Sequence, residues 1–314
     1  MPTLIPSFYP SFRCDPSRCQ HSCCVDWEIG IDEESLCNYH ARTDALAKEI
    51  VSHIAPSPDP HFTLTEGERC PFLQKDGLCA LIVREGERIL PEICREHPRF
   101  RNFYGEDFVE LSLGLSCEIA AAKLLEEKSL HFLLSPTEID SLMTEYPTEL
   151  FDLDSIKLPN EDGEFFREKY RILFSILEGD NLTELTDTKE YPKHARQALK
   201  ALPSLESLSV DFATLFDEKE VDAYLFEGEA SSLLGENEKA NLLAMTVFRH
   251  ASTESFYSLA TVLDFSRFFV SLIDYLVTVQ HYDKVESVRI LSSEIEYSEE
   301  NTDRLLDIFE GIDG

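Results

Sequence analysis

Cys14-Asp15-Pro16-Ser17-Arg18-Cys19-Gln20-His21-Ser22-Cys23-Cys24 places four thiols in eleven residues near the start of a 314-residue chain. All nine cysteines precede residue 118, and the 197 residues that follow contain none. Cys70, Cys79, Cys94 and Cys117 continue the set. Such clustering points to ligands, because zinc and iron-sulfur centres are both held by four thiolates. Eight thiols would serve two four-ligand sites, or one site with thiols to spare. If Cys19 and Cys23 share a helical turn they share a face, and Cys24 is then rotated by about 100°, which would send the adjacent pair to different sites or leave one of them beside a site without ligating. Cys37 lies off the pattern and reads as an ordinary small apolar residue. His21 and His97 stand beside cysteines and are weaker candidates as nitrogen ligands. Arg95, Arg99 and Arg101 form a basic island next to Cys94. Arginines there would offset thiolate charge or hold a cofactor carboxylate.

Working outward, Met1-Pro2-Thr3-Leu4-Ile5-Pro6 has neither a basic nor a continuous apolar segment of the signal-peptide kind. The longest apolar stretch, Phe268 to Val279, includes Asp274 and falls short of the roughly 20 residues of a membrane span. These features predict a cytoplasmic protein, where thiols serve as ligands rather than as disulfides. The formal charge of -32 is uneven: residues 1 to 125 carry 20 acidic and 12 basic side chains, and residues 126 to 314 carry 40 and 16. This surface would repel nucleic acid phosphates and anionic membranes while favouring a lysine-rich protein partner. It also keeps a chain in solution, whatever its partner.

Prolines at 2, 6, 10, 16, 56, 58, 60, 71, 91 and 98 make the first 125 residues loop-rich. A helix is predicted from Ile31 to Ile54, with acidic residues in its first turn. Cys70-Pro71-Phe72-Leu73 and Leu78-Cys79-Ala80-Leu81-Ile82 flank Asp76-Gly77 and read as a hairpin. Val109, Leu111, Leu113 and Leu115 alternate with Glu110, Ser112 and Gly114, the period of a half-buried strand that delivers Cys117, and a helix follows from Ile119. Amphipathic helices are then expected at 137–146, 164–178, 193–201, 218–226, 238–250, 254–280, 285–296 and 299–310. The expected fold is mainly α: a cysteine-rich region with a short hairpin or strand over 1–125, then an acidic helical bundle over 126–314. No Gly-x-Gly-x-x-Gly, no phosphate loop and no Cys-x3-Cys-x2-Cys occurs, so these residues give no Rossmann or radical-chemistry signature.

Several segments together resemble the bacterial flagellin lysine-N-methylase family, within the wider group of cysteine-cluster proteins held to chelate zinc or iron. They are Cys14, Cys19, Cys23-Cys24 and Trp27, then Cys70-Pro71-Phe72-Leu73, Asp76-Gly77-Leu78-Cys79, Cys94, Pro98-Arg99 and Leu113 to Cys117. The resemblance resumes at Phe248-Arg249-His250 and at Ser293-Glu294-Ile295-Glu296-Tyr297-Ser298-Glu299-Glu300-Asn301. Two positions depart from it: His97 stands where an aromatic is expected, and Tyr297 where a histidine is expected. The resemblance implies methyl transfer from S-adenosylmethionine to lysine ε-amines of flagellin. It also implies an iron-sulfur cluster, of the four-iron type rather than zinc, on Cys14, Cys19, Cys23, Cys24, Cys70, Cys79, Cys94 and Cys117. Arg95 and Arg99 are the candidates for binding a cofactor. A lysine must lose its proton before it attacks a sulfonium methyl, and motif position makes Glu294, Glu296 and Tyr104 the candidates for that step. Two other classes stay open: a non-catalytic metal-chelating or redox-sensing protein with an acidic interaction surface, and a structural zinc module.

Overall fold

The strand predicted by the alternation at 109–115 is present, and a sheet is built round it. The computed structural model describes residues 1–25, 27–56, 58–106, 108–155, 160–180, 190–207, 212–227 and 231–312. Strands β1 (Thr3–Pro6), β2 (Arg99–Tyr104), β3 (Phe108–Leu113), β4 (Phe132–Ser135) and β5 (Glu149–Leu150) run in the order β2-β3-β1-β4-β5. β1 is parallel to β3 and antiparallel to β4, while β2 pairs antiparallel with β3, setting Phe100 opposite Ser112 and Asn102 opposite Glu110.

β3 is buried along its whole length, so both faces of the sheet are covered there and the expected wet face does not exist. Its polar residues meet protein instead. Glu110 accepts hydrogen bonds from Lys169 Nζ at 2.6 Å, Tyr170 Oη at 2.9 Å and Asn102 Nδ2 at 3.2 Å. Lys169 Nζ also donates to the carbonyls of Phe248 (2.9 Å) and Ala251 (2.6 Å). A fully buried ion pair is tolerable only when its remaining donors and acceptors are satisfied in this way.

Helices α1 (Glu33–Ala41) and α2 (Ala45–Ser52) replace the single helix expected over 31–54. Asp32 and Asp44 each accept a backbone N–H three residues on, from Ser35 and Ala47, and the second cap starts a second helix. The Asp76-Gly77 turn is present, with Gly77 at φ 84° and Leu73 bridged to Cys79. Its second arm, however, enters α3 (Ala80–Glu85) rather than a strand. After α4 (Glu92–Glu96), α5 (Glu118–Glu126) begins directly from Cys117.

No helix forms over 137–146: the chain turns between β4 and β5, where the Asp140 carboxylate accepts from Leu142 N at 2.7 Å, a local bond that competes with helix initiation. The remaining expected helices are found as α6 (Asn160–Glu178), α7 (Tyr191–Ala201), α8 (Glu218–Phe226), α9 (Glu236–His250), α10 (Leu259–Thr278), α11 (Lys284–Leu291) and α12 (Glu299–Glu310). Between α11 and α12, Ser292–Glu296 widens into a π turn. The mainly α class therefore holds. Among the described residues no helix is long and apolar enough to cross a membrane.

Two hydrophobic clusters form. The smaller gathers Ile29, Tyr39, Ile50, Phe62, Phe72 and Leu81 with the buried Cys70, and Cys24, Cys79 and Cys94 pack half-buried against it. The larger joins the sheet to α5 through α12, round the largely buried α10, and Cys19 and Cys117 pack against that one. The thiols therefore lie along the boundary between two cores.

Candidate functional site

The eight thiols form two overlapping groups. Burial pushes the Cys14 thiol up to about 11 and the Cys19 thiol up to about 12, and in both cases the largest contribution from a neighbouring charge comes from Cys117. Cys24 is the centre of the other group. Hydrogen bonds from the Cys23 and Cys70 thiols hold it well below the usual thiol range; in turn it raises Cys23 and Cys70, and it adds to the rise that burial gives Cys79 and Cys94. Cys14 faces Cys24 as well and so links the groups. No helix spans Cys19 to Cys23: a short 3-10 turn ends at Arg18, and Cys23 and Cys24 share one group rather than diverging. Cys37 is exposed on α1, away from the pattern.

The loop carrying Cys19 to Cys24 is clamped to the helices. Glu118, in the first turn of α5, accepts from the backbone N–H of Gln20 (2.8 Å) and His21 (2.7 Å), and its carboxylate lies 2.9 Å from His21 Nδ1. Glu286 on α11 reaches the same imidazole at 3.5 Å. His21, Glu118 and Glu286 are, among the described residues, the one group of three side chains whose potential ligand atoms all lie within 4.8 Å of one another. The group serves first as that clamp, since Glu118 is committed to the loop backbone and Glu286 to Arg289.

Beside the thiols lies a buried polar pocket that brings together two distant segments. Arg249 and His250, at the end of α9, meet Glu296 in the π turn: His250 Nε2 lies 3.0 Å from Glu296 Oε1, Arg249 Nε 3.6 Å from the same oxygen, and Arg249 Nη2 donates to the Glu296 carbonyl at 2.9 Å. Burial pushes the Glu296 carboxyl up, but the Arg249 guanidinium and the His250 hydrogen bond outweigh it and hold the group at about 2. Burial also lowers His250, so its imidazole is neutral near pH 7. Arg249 is sandwiched over the rings of Phe100 (5.1 Å) and Tyr297 (5.0 Å).

Gly114 makes this packing possible. A Cβ there would overlap Tyr297 Oη and stand 3.0 Å from Arg249 Nη1. A row of rings connects pocket and thiols, with Tyr297 6.2 Å from His97 and His97 6.4 Å from Trp27, whose indole N–H donates to the Cys23 carbonyl. Burial lowers His97 to about 4 although Cys24 acts to raise it. The two departures from the family pattern, His97 and Tyr297, are thus in contact, an exchange of imidazole and aromatic ring across one pair.

Of the residues singled out beforehand, Glu296 lies in this pocket, Cys117 adjoins it through Tyr297, and Cys23 and Cys24 are reached through Trp27 and His97. Glu294 is buried in the same π turn, with its carbonyl accepting from Asn301 Nδ2 at 2.6 Å. Tyr104 is elsewhere, in the aromatic core beside Phe108 and Phe166, 3.4 Å from Lys169 Nζ. Arg99 is occupied structurally, donating to Tyr9 Oη (3.0 Å) and to the carbonyls of Arg95 (3.0 Å) and Ser141 (3.4 Å). Arg95 donates to the Leu90 carbonyl and lines a separate cavity of about 340 Å³ with Tyr39, Arg42 and Arg88. Sequence reasoning had not singled out Arg249, His250, Ser116 or Ser292 as site residues. The first two stand in a segment that carries the family resemblance, which was the available signal.

No protein-family profile matches the chain, and no solved structure matches it. It is 28% identical over 133 residues to a flagellar biosynthetic protein, FliU, of Salmonella muenchen, covering 39% of this chain and 76% of that protein. It is 28% identical over 153 residues to the lysine-N-methylases of Salmonella typhimurium and Salmonella choleraesuis. That similarity covers 45% of this chain, and only 37% of each methylase is spanned. The chain is thus similar, at a distance and over part of its length, to proteins named lysine-N-methylase.

Proposed function

We propose that this protein transfers methyl groups from S-adenosylmethionine to lysine ε-amines of flagellin or another lysine-rich protein in the cytoplasm. In this reading an iron-sulfur cluster of the four-iron type sits on the N-terminal thiols. The observation that carries it is the meeting of Arg249 and His250 with Glu296 against Gly114, one strand-end away from Cys117. Segments that look unrelated along the chain converge on a single locus beside the thiols.

A four-thiolate donor set suits zinc and an iron-sulfur cluster alike, and the choice of a cluster rests on the family resemblance. When bound, such a cluster supplies a redox centre whose potential its surroundings tune. The chain's own residues do the rest. Glu296, held ionised, is a poor proton acceptor near neutrality and acts as a fixed negative charge. His250 is neutral and, with Nε2–H directed at Glu296, keeps Nδ1 as the basic nitrogen that receives the lysine proton. The acidic surface of the helical half draws in a lysine-bearing substrate, so transfer slows as salt rises.

The test is incubation of the anaerobically purified protein with flagellin and methyl-labelled S-adenosylmethionine. Label recovered on lysine is expected, and unlabelled lysine would overturn the reading. A colourless preparation that contains zinc would remove the cluster assignment and leave the structural zinc module.

A further inference from the structure

We propose that Arg249 and Glu296 form a subsite for an α-amino-carboxylate, the zwitterionic end of an amino-acid-like ligand. Five buried side-chain atoms among the described residues lack a hydrogen bond of good geometry: Ser112 Oγ, Ser116 Oγ, Arg249 Nη1, Ser292 Oγ and Glu296 Oε2, although Ser116 lies near Tyr297 and Ser292 near Glu296. Buried polar atoms are nearly always paired, and each exception calls for an explanation. Four of them, on Ser116, Arg249, Ser292 and Glu296, gather beside Gly114, the residue that follows β3, and Arg249 Nη1 stands over it. Ser116 faces Tyr297, and Ser292 is one turn before Glu296.

The charges select the ligand. Glu296 uses Oε1 for His250 and Arg249 Nε, and Arg249 uses Nη2 for the Glu296 carbonyl, so each keeps one unpaired atom. A simple anion would meet the Glu296 carboxylate, and a simple cation would meet the guanidinium. A zwitterion satisfies both, with its carboxylate on Arg249 Nη1 and its ammonium on Glu296 Oε2, and the serine hydroxyls, which donate or accept, take the remaining positions. Tyr297, 43% exposed while its neighbours are buried, forms the rim through which the ligand enters. Identifying this ligand as the methionine end of the methyl donor rests on the methyl-transfer reading; the subsite itself does not.

Calorimetric titration of the anaerobically purified full chain with S-adenosylhomocysteine, methionine and 5′-methylthioadenosine tests the assignment, because the last compound lacks the amino-acid group. S-adenosylhomocysteine binds at least about tenfold tighter than 5′-methylthioadenosine, and Glu296→Gln or Arg249→Lys closes that gap. Ser292→Ala guards against misfolding: it removes a hydroxyl whose one neighbouring acceptor, Glu296, keeps His250 and Arg249, so it shifts the melting temperature little while weakening S-adenosylhomocysteine about threefold or more. Equal binding of the two nucleosides, a gap that survives Glu296→Gln and Ser292→Ala, or no binding of any of the three overturns the subsite. Methionine bound with the same sensitivity to the variants, without S-adenosylhomocysteine, keeps the subsite and removes the methyl-donor reading.

Discussion

The two hydrophobic clusters are completed by different means. The larger closes on itself: α10 is surrounded by α8, α9, α11 and α12, and the aromatic rings of Phe132, Phe151, Phe166, Tyr170 and Phe248 pack edge-on, tilted or stacked against one another. The smaller rests on short helices and single bridges, and thiols form its border. Apolar burial holds the first, whereas ligand bonds made by the bordering thiols would complete the second. The contrast explains how loop-rich sequence and a packed helical body coexist in one chain.

The largest effect should come from removing whatever the thiols hold. Chelation of the purified protein, or Cys24→Ser, is expected to lower amide-exchange protection across residues 29–94 by on the order of a hundredfold while leaving α10 protected. Equal loosening of α10 would break the contrast. Next in size is the ion pair inside the larger core. Lys169→Met leaves the Glu110 carboxylate buried without its cation, and denaturant unfolding should show a loss of about 3–5 kcal/mol.

The pocket between the cores gives a pH-dependent effect of about 3 kcal/mol. Glu296 is depressed to about 2 from the 4.5 usual for a glutamate, so its contribution is fully present above about pH 4.5 and is lost as pH falls toward 2. Unfolding curves measured across that range for the protein and for Glu296→Gln should converge at the acid end. The smallest effect concerns close packing. Gly114→Ala should displace Tyr297 and Arg249 at a cost of about 1–3 kcal/mol, visible as a lowered melting temperature together with slower methyl transfer.

Much of the helical body was legible beforehand, because a 3.6-residue apolar period reports burial of one face directly. That the thiols gather along one boundary was legible from their clustering in the sequence. The errors came from local polar groups: Asp44 caps a helix where the period runs on, and Asp140 turns the chain where a helix was expected. The buried face of β3 was hidden for another reason. Glu110 reads as solvent-facing until Lys169, 59 residues later, is seen to pair with it. The pocket depended on the same kind of distant pairing, since 46 residues separate His250 from Glu296. No spacing rule along the chain reports such a contact.

The central claim is that the thiol set and the Arg249–Glu296 pocket form one site. It is tested most directly by following the visible absorption and electron paramagnetic resonance of anaerobically purified protein as S-adenosylhomocysteine is added. A ligand-dependent change in those signals that disappears in Glu296→Gln, with the metal content unchanged, is the predicted result. Signals that do not respond to ligand, or that respond equally in Glu296→Gln, would contradict it.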